Sequence, residues 1–140
     1  MTHDAGSDRV LFLGDLSPNQ AEAMRRLGEI VNLPQNWDSY GSPPPTSTAV
    51  EIVMDLLLTI DNPSLPASRV VPVSGGGLQL EWNVSPRELQ LEISGEGIAQ
   101  CLQIEDRRPV REEEISHLTS DRIRSLLTWL VPLVAERRAA

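Results

Sequence analysis

The sequence predicts an α+β fold, a three- to four-stranded antiparallel meander with about three helices packed on one face. Three observations carry this expectation. Apolar residues in the first half recur at three- and four-residue steps, the stretch from Arg69 to Ile104 changes to a period of two, and the chain after Thr119 returns to the helical step. Helices, then a block of strands, then a closing helix is the order of a layered α+β domain rather than of βαβ units. With 140 residues, 40% hydrophobic and 23% charged, the chain has the size and composition of one folded domain spanning 1–140.

Residues 1–9 are polar and read as flexible, and Val10 to Leu13 is a candidate short strand, too brief for a signal peptide or a membrane span. Ser17-Pro18-Asn19-Gln20 then opens a helix: Ser17 can cap, Pro18 occupies the first helical position where its missing N–H costs nothing, and Gln20 completes a capping box. Ala21, Met24, Leu27 and Val31 form its apolar stripe, and it ends near Leu33-Pro34. PQNWDSYGSPPP, residues 34 to 45, follows as a proline-braced corner. Asp38 and Ser39 are turn formers, Gly41 permits positive φ, and Pro43 to Pro45 hold an extended polyproline segment. A second helix starts at Thr46, Ser47 or Thr48, with Thr48 and Glu51 the better capping pair. Its body, Ala49 to Ile60, is apolar on nearly every side, as a helix in the middle of a core would be. Asp61-Asn62-Pro63 stops it.

Val70 to Val73 is the first strand of the block, and Pro72 assigns it to a sheet edge, since a central strand would lose a ladder hydrogen bond there. After Gly75-Gly76-Gly77, Leu78, Leu80, Trp82 and Val84 alternate with Gln79, Glu81 and Asn83. Beyond the Ser85-Pro86 turn, Leu89, Leu91 and Ile93 alternate with Gln90 and Glu92. Ile98 to Ile104 supplies a further strand. Residues 105–118, EDRRPVREEEISHL, are charge-dense and show no sustained apolar period, and read as an exposed charged connector. The last helix begins at Thr119, Ser120 or Asp121 and carries Ile123, Leu126, Leu127, Leu130, Val131 and Val134 on one side, with a kink at Pro132 and Arg137 and Arg138 near its negative end.

The formal net charge of −8 repels phosphate and attracts basic partners, which disfavours direct nucleic-acid binding. All 12 basic residues are arginine, the pattern of a GC-rich genome, and without lysine neither Schiff-base nor P-loop chemistry is open to the chain. One cysteine, Cys101, and no export signal point to the cytoplasm, with Cys101 read as a small buried hydrophobe. His3 and His117 have no serine, cysteine or second histidine at triad or metal spacing, and Glu112-Glu113-Glu114 reads as a solvated run. The glycine triplet leads into a strand, not into a helix whose N–H groups could meet a phosphate, so it reads as a turn. No catalytic residue, metal site, cofactor or membrane contact is implied.

The remaining candidates are binding residues: Trp37, Asp38 and Tyr40 in the corner, and Glu81 and Glu92 on the polar sheet face beside Gln79, Asn83 and Gln90. As structure, the corner is a bracket, with Trp37 packed on the sheet or the second helix and Asp38 tying down loop N–H groups. As function, aromatic rings beside rigid prolines make a low-entropy contact surface for a protein. The first expectation is therefore a non-catalytic module that binds a basic protein partner, as an antitoxin-like, immunity or accessory component does. The alternative is a small enzyme or ligand binder, for which Asp38, Tyr40, Glu81 and Glu92 must converge on one pocket between sheet and helices with a raised pKa among them.

Trp37, Asp38, Tyr40 and Gly41, then Gly76 and Gly77, then Leu80, Glu81 and Trp82, and finally Leu91 and Glu92 together make a recognisable set. In these residues, over roughly 34 to 94, the chain resembles a scattered group of short uncharacterised bacterial proteins with a tryptophan-aspartate-x-tyrosine-glycine segment, a glycine turn and two leucine-glutamate strands. The resemblance implies one coherent domain and no established activity.

Overall fold

Alternation of leucine with polar residues decides the architecture, because in a strand it sends every second side chain to the same face. The computed structural model describes residues 16–60 and 65–130. In order along the chain lie α1 (Pro18–Ile30), α2 (Ser47–Thr59), β1 (Arg69–Val73), β2 (Gly77–Val84), β3 (Arg87–Ile93), β4 (Ala99–Glu105), β5 (Arg108–Ile115) and α3 (Ser120–Thr128). The strands form one antiparallel meander in the order β1-β2-β3-β4-β5. The short strand expected over 10–13, the flexible residues 1–9, the stop at Asp61-Asn62-Pro63, the kink at Pro132 and the terminal Arg137 and Arg138 lie outside the described residues.

The register aligns Val70, Leu80, Leu91 and Cys101 in one row and Leu78, Ile93, Ala99 and Ile115 in the next, and all of these are buried. Ala23, Leu27 and Ile30 of α1, Ala49, Val53, Leu56 and Leu57 of α2, and Ile123, Leu126 and Leu127 of α3 complete the same core. Each fully buried leucine contributes about 2 kcal/mol by leaving water, so the face that carries them sets which side the helices must cover.

Several expectations change. Among the described residues the sheet has five strands rather than three or four, because Arg108–Ile115, inside the segment read as a connector, pairs with β4. The segment is exposed, yet it is a strand. Its charges and Pro109 blunt a sheet edge against pairing with another chain, as Pro72 does at the opposite edge, and such a strand shows little apolar alternation to read. The register slips between Gln103 and Ile104, so that Val110 is the extra residue of a bulge. The stripe of α1 is Gln20, Ala23, Leu27 and Ile30, while Ala21 and Val31 face solvent. Finally, α2 lies on the sheet rather than inside a core: Val50, Ile52, Met54, Leu58 and Ile60 are only half-buried.

Polar contacts fix how the helices sit. Ser17 and Gln20 form the expected capping box, and the same Gln20 side chain crosses to the end of α2, where Nε2 donates to the carbonyls of Leu57 at 3.1 Å, Leu58 at 3.3 Å and Ile60 at 3.0 Å. One buried amide thus closes the start of one helix and the end of another, satisfying carbonyls that no intrahelical N–H can reach. Thr46, not Thr48, caps α2: its Oγ1 accepts from Ala49 N and donates to Gly95 O at 2.8 Å, and its N–H donates to Gly76 O at 3.0 Å. Local sequence favours the Thr48–Glu51 pair, but only Thr46 also reaches two sheet turns. At the other end, the Arg87 guanidinium stacks 4.8 Å from the Trp129 ring centroid, donates to Trp129 O at 2.7 Å and meets Glu105 at 3.3 Å, which fastens the end of α3 to β3.

The turns meet closely where Thr46 enters. A Cβ on Gly77 would stand 2.6 Å from Ile93 O, so glycine is required there for backbone to pass backbone, and Gly76 holds φ +90° in the turn itself. Gly77→Ala is expected to cost about 2 kcal/mol or more through this overlap, measured by urea denaturation. Gln20→Ala is expected to cost about 2 kcal/mol by stranding the α2 carbonyls. Gln20→Glu should be worse than Ala at neutral pH, since a carboxylate sets negative charge against three carbonyl oxygens; the same denaturation curves rank the two.

Candidate functional site

The corner 34–45 folds around two short polar side chains. Asn36 sits at φ 65°, where its Oδ1 accepts from Gly41 N at 2.7 Å while its N–H donates to Ser42 O at 2.7 Å. Asp38 takes the other half of the loop. Its Oδ1 accepts from the backbone N–H of Tyr40 at 2.9 Å and of Ser42 at 3.1 Å, and its Oδ2 accepts from the hydroxyls of Ser42 at 2.5 Å and Ser74 at 2.7 Å. Ser39 at φ 66° and Gly41 at φ 87° complete the tight course that these bonds impose. Four donors on one carboxylate, Ser42 foremost, hold the Asp38 carboxyl well below the usual carboxylate range.

This is a bracket of the kind expected, with one correction. Trp37 is half-buried and does not join the core; its Nε1 donates to Pro43 O at 2.8 Å, so the ring braces the loop against its own proline end rather than against the sheet or α2. Because Ser74 lies in the β1–β2 turn, the Asp38 bond also ties the loop to the sheet end. Between these fixed points Tyr40 projects into solvent, 91% exposed.

Glu81 and Glu92 lie elsewhere, on the sheet face opposite the helices. There the register sets Val71, Gln79, Glu92, Gln100 and Glu114 in one row and Arg69, Glu81, Gln90, Leu102 and Glu112 in the next. Glu81 is engaged by Gln79 at 2.6 Å and Arg69 at 3.8 Å. It borders an open depression of about 380 Å³ with Arg69, Asn83 and Glu88, whereas Glu92 borders another of about 160 Å³ with Gln79, Gln90, Leu102 and Glu112. Asp38 and Tyr40 line neither. The structure therefore brings Trp37, Asp38 and Tyr40 together and separates them from the two glutamates. A general acid needs a raised carboxyl pKa, and Asp38 is shifted the other way.

Other reactive groups are similarly placed. Burial first, then the neighbouring Glu113 charge, pushes the Cys101 thiol up to about 11, so it stays protonated and unreactive at neutral pH. Glu112 and Glu114 point outward from β5 while Glu113 turns toward α3 and pairs with Arg122, so the acidic run is divided between two faces. Sequence reading missed Ser42 and Ser74 as partners of Asp38. Ser74 carries no signal, being 36 residues away along the chain. It also missed Glu112 as a member of the open face, since that membership requires β5 to be a strand.

No family model, curated protein or solved structure matches the chain. No helix among the described residues is long and apolar enough to cross a membrane.

Asp38 links the corner to pH. A carboxyl whose pKa is depressed by folding stabilises the native state above its unfolded value, and that contribution fades as pH falls through it. The stability gap between wild type and Asp38→Asn is expected to be widest near neutral pH and to shrink below about pH 4, read from urea midpoints across a pH series.

Proposed function

We propose that the protein is a non-catalytic binding module that acts through a basic protein partner, in the manner of an antitoxin-like, immunity or accessory component of a bacterial system. The observation that carries this reading is Tyr40, 91% exposed at the tip of a loop whose every turn is tied by Asn36, Asp38 and Trp37. Aromatic side chains supply a disproportionate share of interface energy, and a loop already fixed in place loses little further entropy when it is covered. The net charge of −8 supports a basic partner by raising the rate of encounter and disfavouring acidic competitors.

Affinity capture of the tagged protein from its native cells, followed by mass spectrometry and titration of the captured partner, tests this reading. Tyr40→Ala is expected to weaken that partner's binding by about 2 kcal/mol, roughly thirtyfold in Kd, while leaving the unfolding midpoint unchanged. Undiminished binding by Tyr40→Ala would overturn the role of the loop, and the absence of any specific partner would overturn the reading as a whole.

A further inference from the structure

We propose that the sheet face left without a helix among the described residues is a docking surface for an arginine- or lysine-rich segment of a partner, seated along Leu102 and Ile104 between the carboxylates of β3 and β5. The inference rests on the reading of the protein as a module for a basic protein partner, and it places the basic chemistry on a surface apart from the Tyr40 loop.

The face has a centre and two flanks. Its centre is β4, which points Leu102 and Ile104 outward, both half-buried. On one side β3 presents Glu88 and Glu92, and on the other β5 presents Glu112 and Glu114. Two strand spacings separate β3 from β5, about 10 Å; Glu112 stands directly beside Leu102 on β5, with Gln90 opposite on β3 and Glu88 and Glu92 diagonal to it. Between Glu92, Leu102 and Glu112 lies the depression of about 160 Å³, too small for a typical free ligand and of the order of one long side chain. An arginine or lysine fits this chemistry, because its methylene stem can lie on an apolar floor while its charged head turns to acceptors at the rim. Arginine fits best, since its planar fork can engage a carboxylate with two parallel bonds.

Pairing within the molecule separates these carboxylates from the others. Glu81 is met by Arg69 and Gln79, and Glu113 by Arg111 and Arg122, whereas among the described residues no ion pair reaches Glu88, Glu92, Glu112 or Glu114. Among the described residues, Arg111 and Arg122 both pair with Glu113, on the helix side of β5. Five strands span about 19 Å from edge to edge and seven residues about 24 Å along a strand, an area near 450 Å². A standard interface takes about 800 Å² per partner, so this face suits a single helix or extended segment rather than a second globular surface. A second copy of the chain would set like charges against each other, and phosphate-bearing partners are repelled on the same ground.

A synthetic peptide alternating arginine and leucine, with its neutral citrulline counterpart, tests the face directly on the full chain. Amide chemical-shift mapping is expected to gather the peptide's effects on Glu92, Gln100, Leu102, Ile104 and Glu112, and the citrulline peptide should bind much less. Glu92→Gln combined with Glu112→Gln is expected to weaken binding about fivefold, what two solvent-exposed ion pairs supply together, and to flatten its salt dependence. Glu51→Gln combined with Glu96→Gln, two exposed carboxylates away from this face, should change little. Shifts scattered over every carboxylate, or an equal loss in the second pair of variants, would reduce the effect to net charge and overturn the docking surface. A captured cellular partner that is lost with Tyr40→Ala but kept by the Glu92 and Glu112 variants would overturn the face while leaving the binding module intact.

Discussion

One-sided packing is the constraint on which the rest of this structure depends. In β2 and β3 every leucine falls on one face and nearly every carboxylate and amide on the other, so helices can bury apolar area on one side only. Three helices share that side among the described residues, which leaves the opposite face of five strands without a helical layer. The polar half of the alternation is therefore a consequence of the apolar half. The open surface is present because the core is where it is.

The position of the helices on that side is set by a few polar side chains with two partners each. Gln20 joins the start of α1 to the end of α2, and Thr46 joins the start of α2 to the turns before β2 and after β3. Such groups are directional where leucine packing is not, since an unpaired buried amide or carbonyl loses more than a slightly displaced methyl group. The corner containing Trp37, Asp38 and Tyr40 is anchored to this junction through Ser74. Its shape is inherited from the sheet turn as well as from its own prolines. A tyrosine held outward by a carboxylate with four donors is a different object from a tyrosine on a mobile loop, although the two have the same sequence.

Where two surfaces of one small domain carry distinct chemistry, they can serve one partner or two. The Tyr40 tip is aromatic and rigid and lies at the end of the sheet; the face along β4 is apolar in the middle and anionic at its margins. A partner that reached both would combine a fixed anchor with a charge-steered segment, and the second contact would then form at the effective concentration set by the first.

Much of this was readable in the residues themselves. The period-two alternation of 78–93 specified β2 and β3 and their buried rows, Pro72 specified an edge, Ser17-Pro18-x-Gln20 specified a helix start, and the glycine triplet specified a turn, because each is a local rule of backbone sterics or periodicity. Glu81 and Glu92 were assigned to their faces for the same reason. What the sequence could not determine depends on residues far apart in it. β5 exists because β4 offers a ladder to a charged segment with no apolar period of its own, and that pairing alone sets Glu112 beside Leu102, across β4 from Glu92's strand. Thr46 outcompetes Thr48 as a cap because Gly76 and Gly95 are within its reach, Gln20 is buried because α2 ends beside it, and Asp38 is held low in pKa partly by a serine in another turn. Tyr40 points outward because its neighbours on both sides are held inward, and only the folded chain brings those holds together.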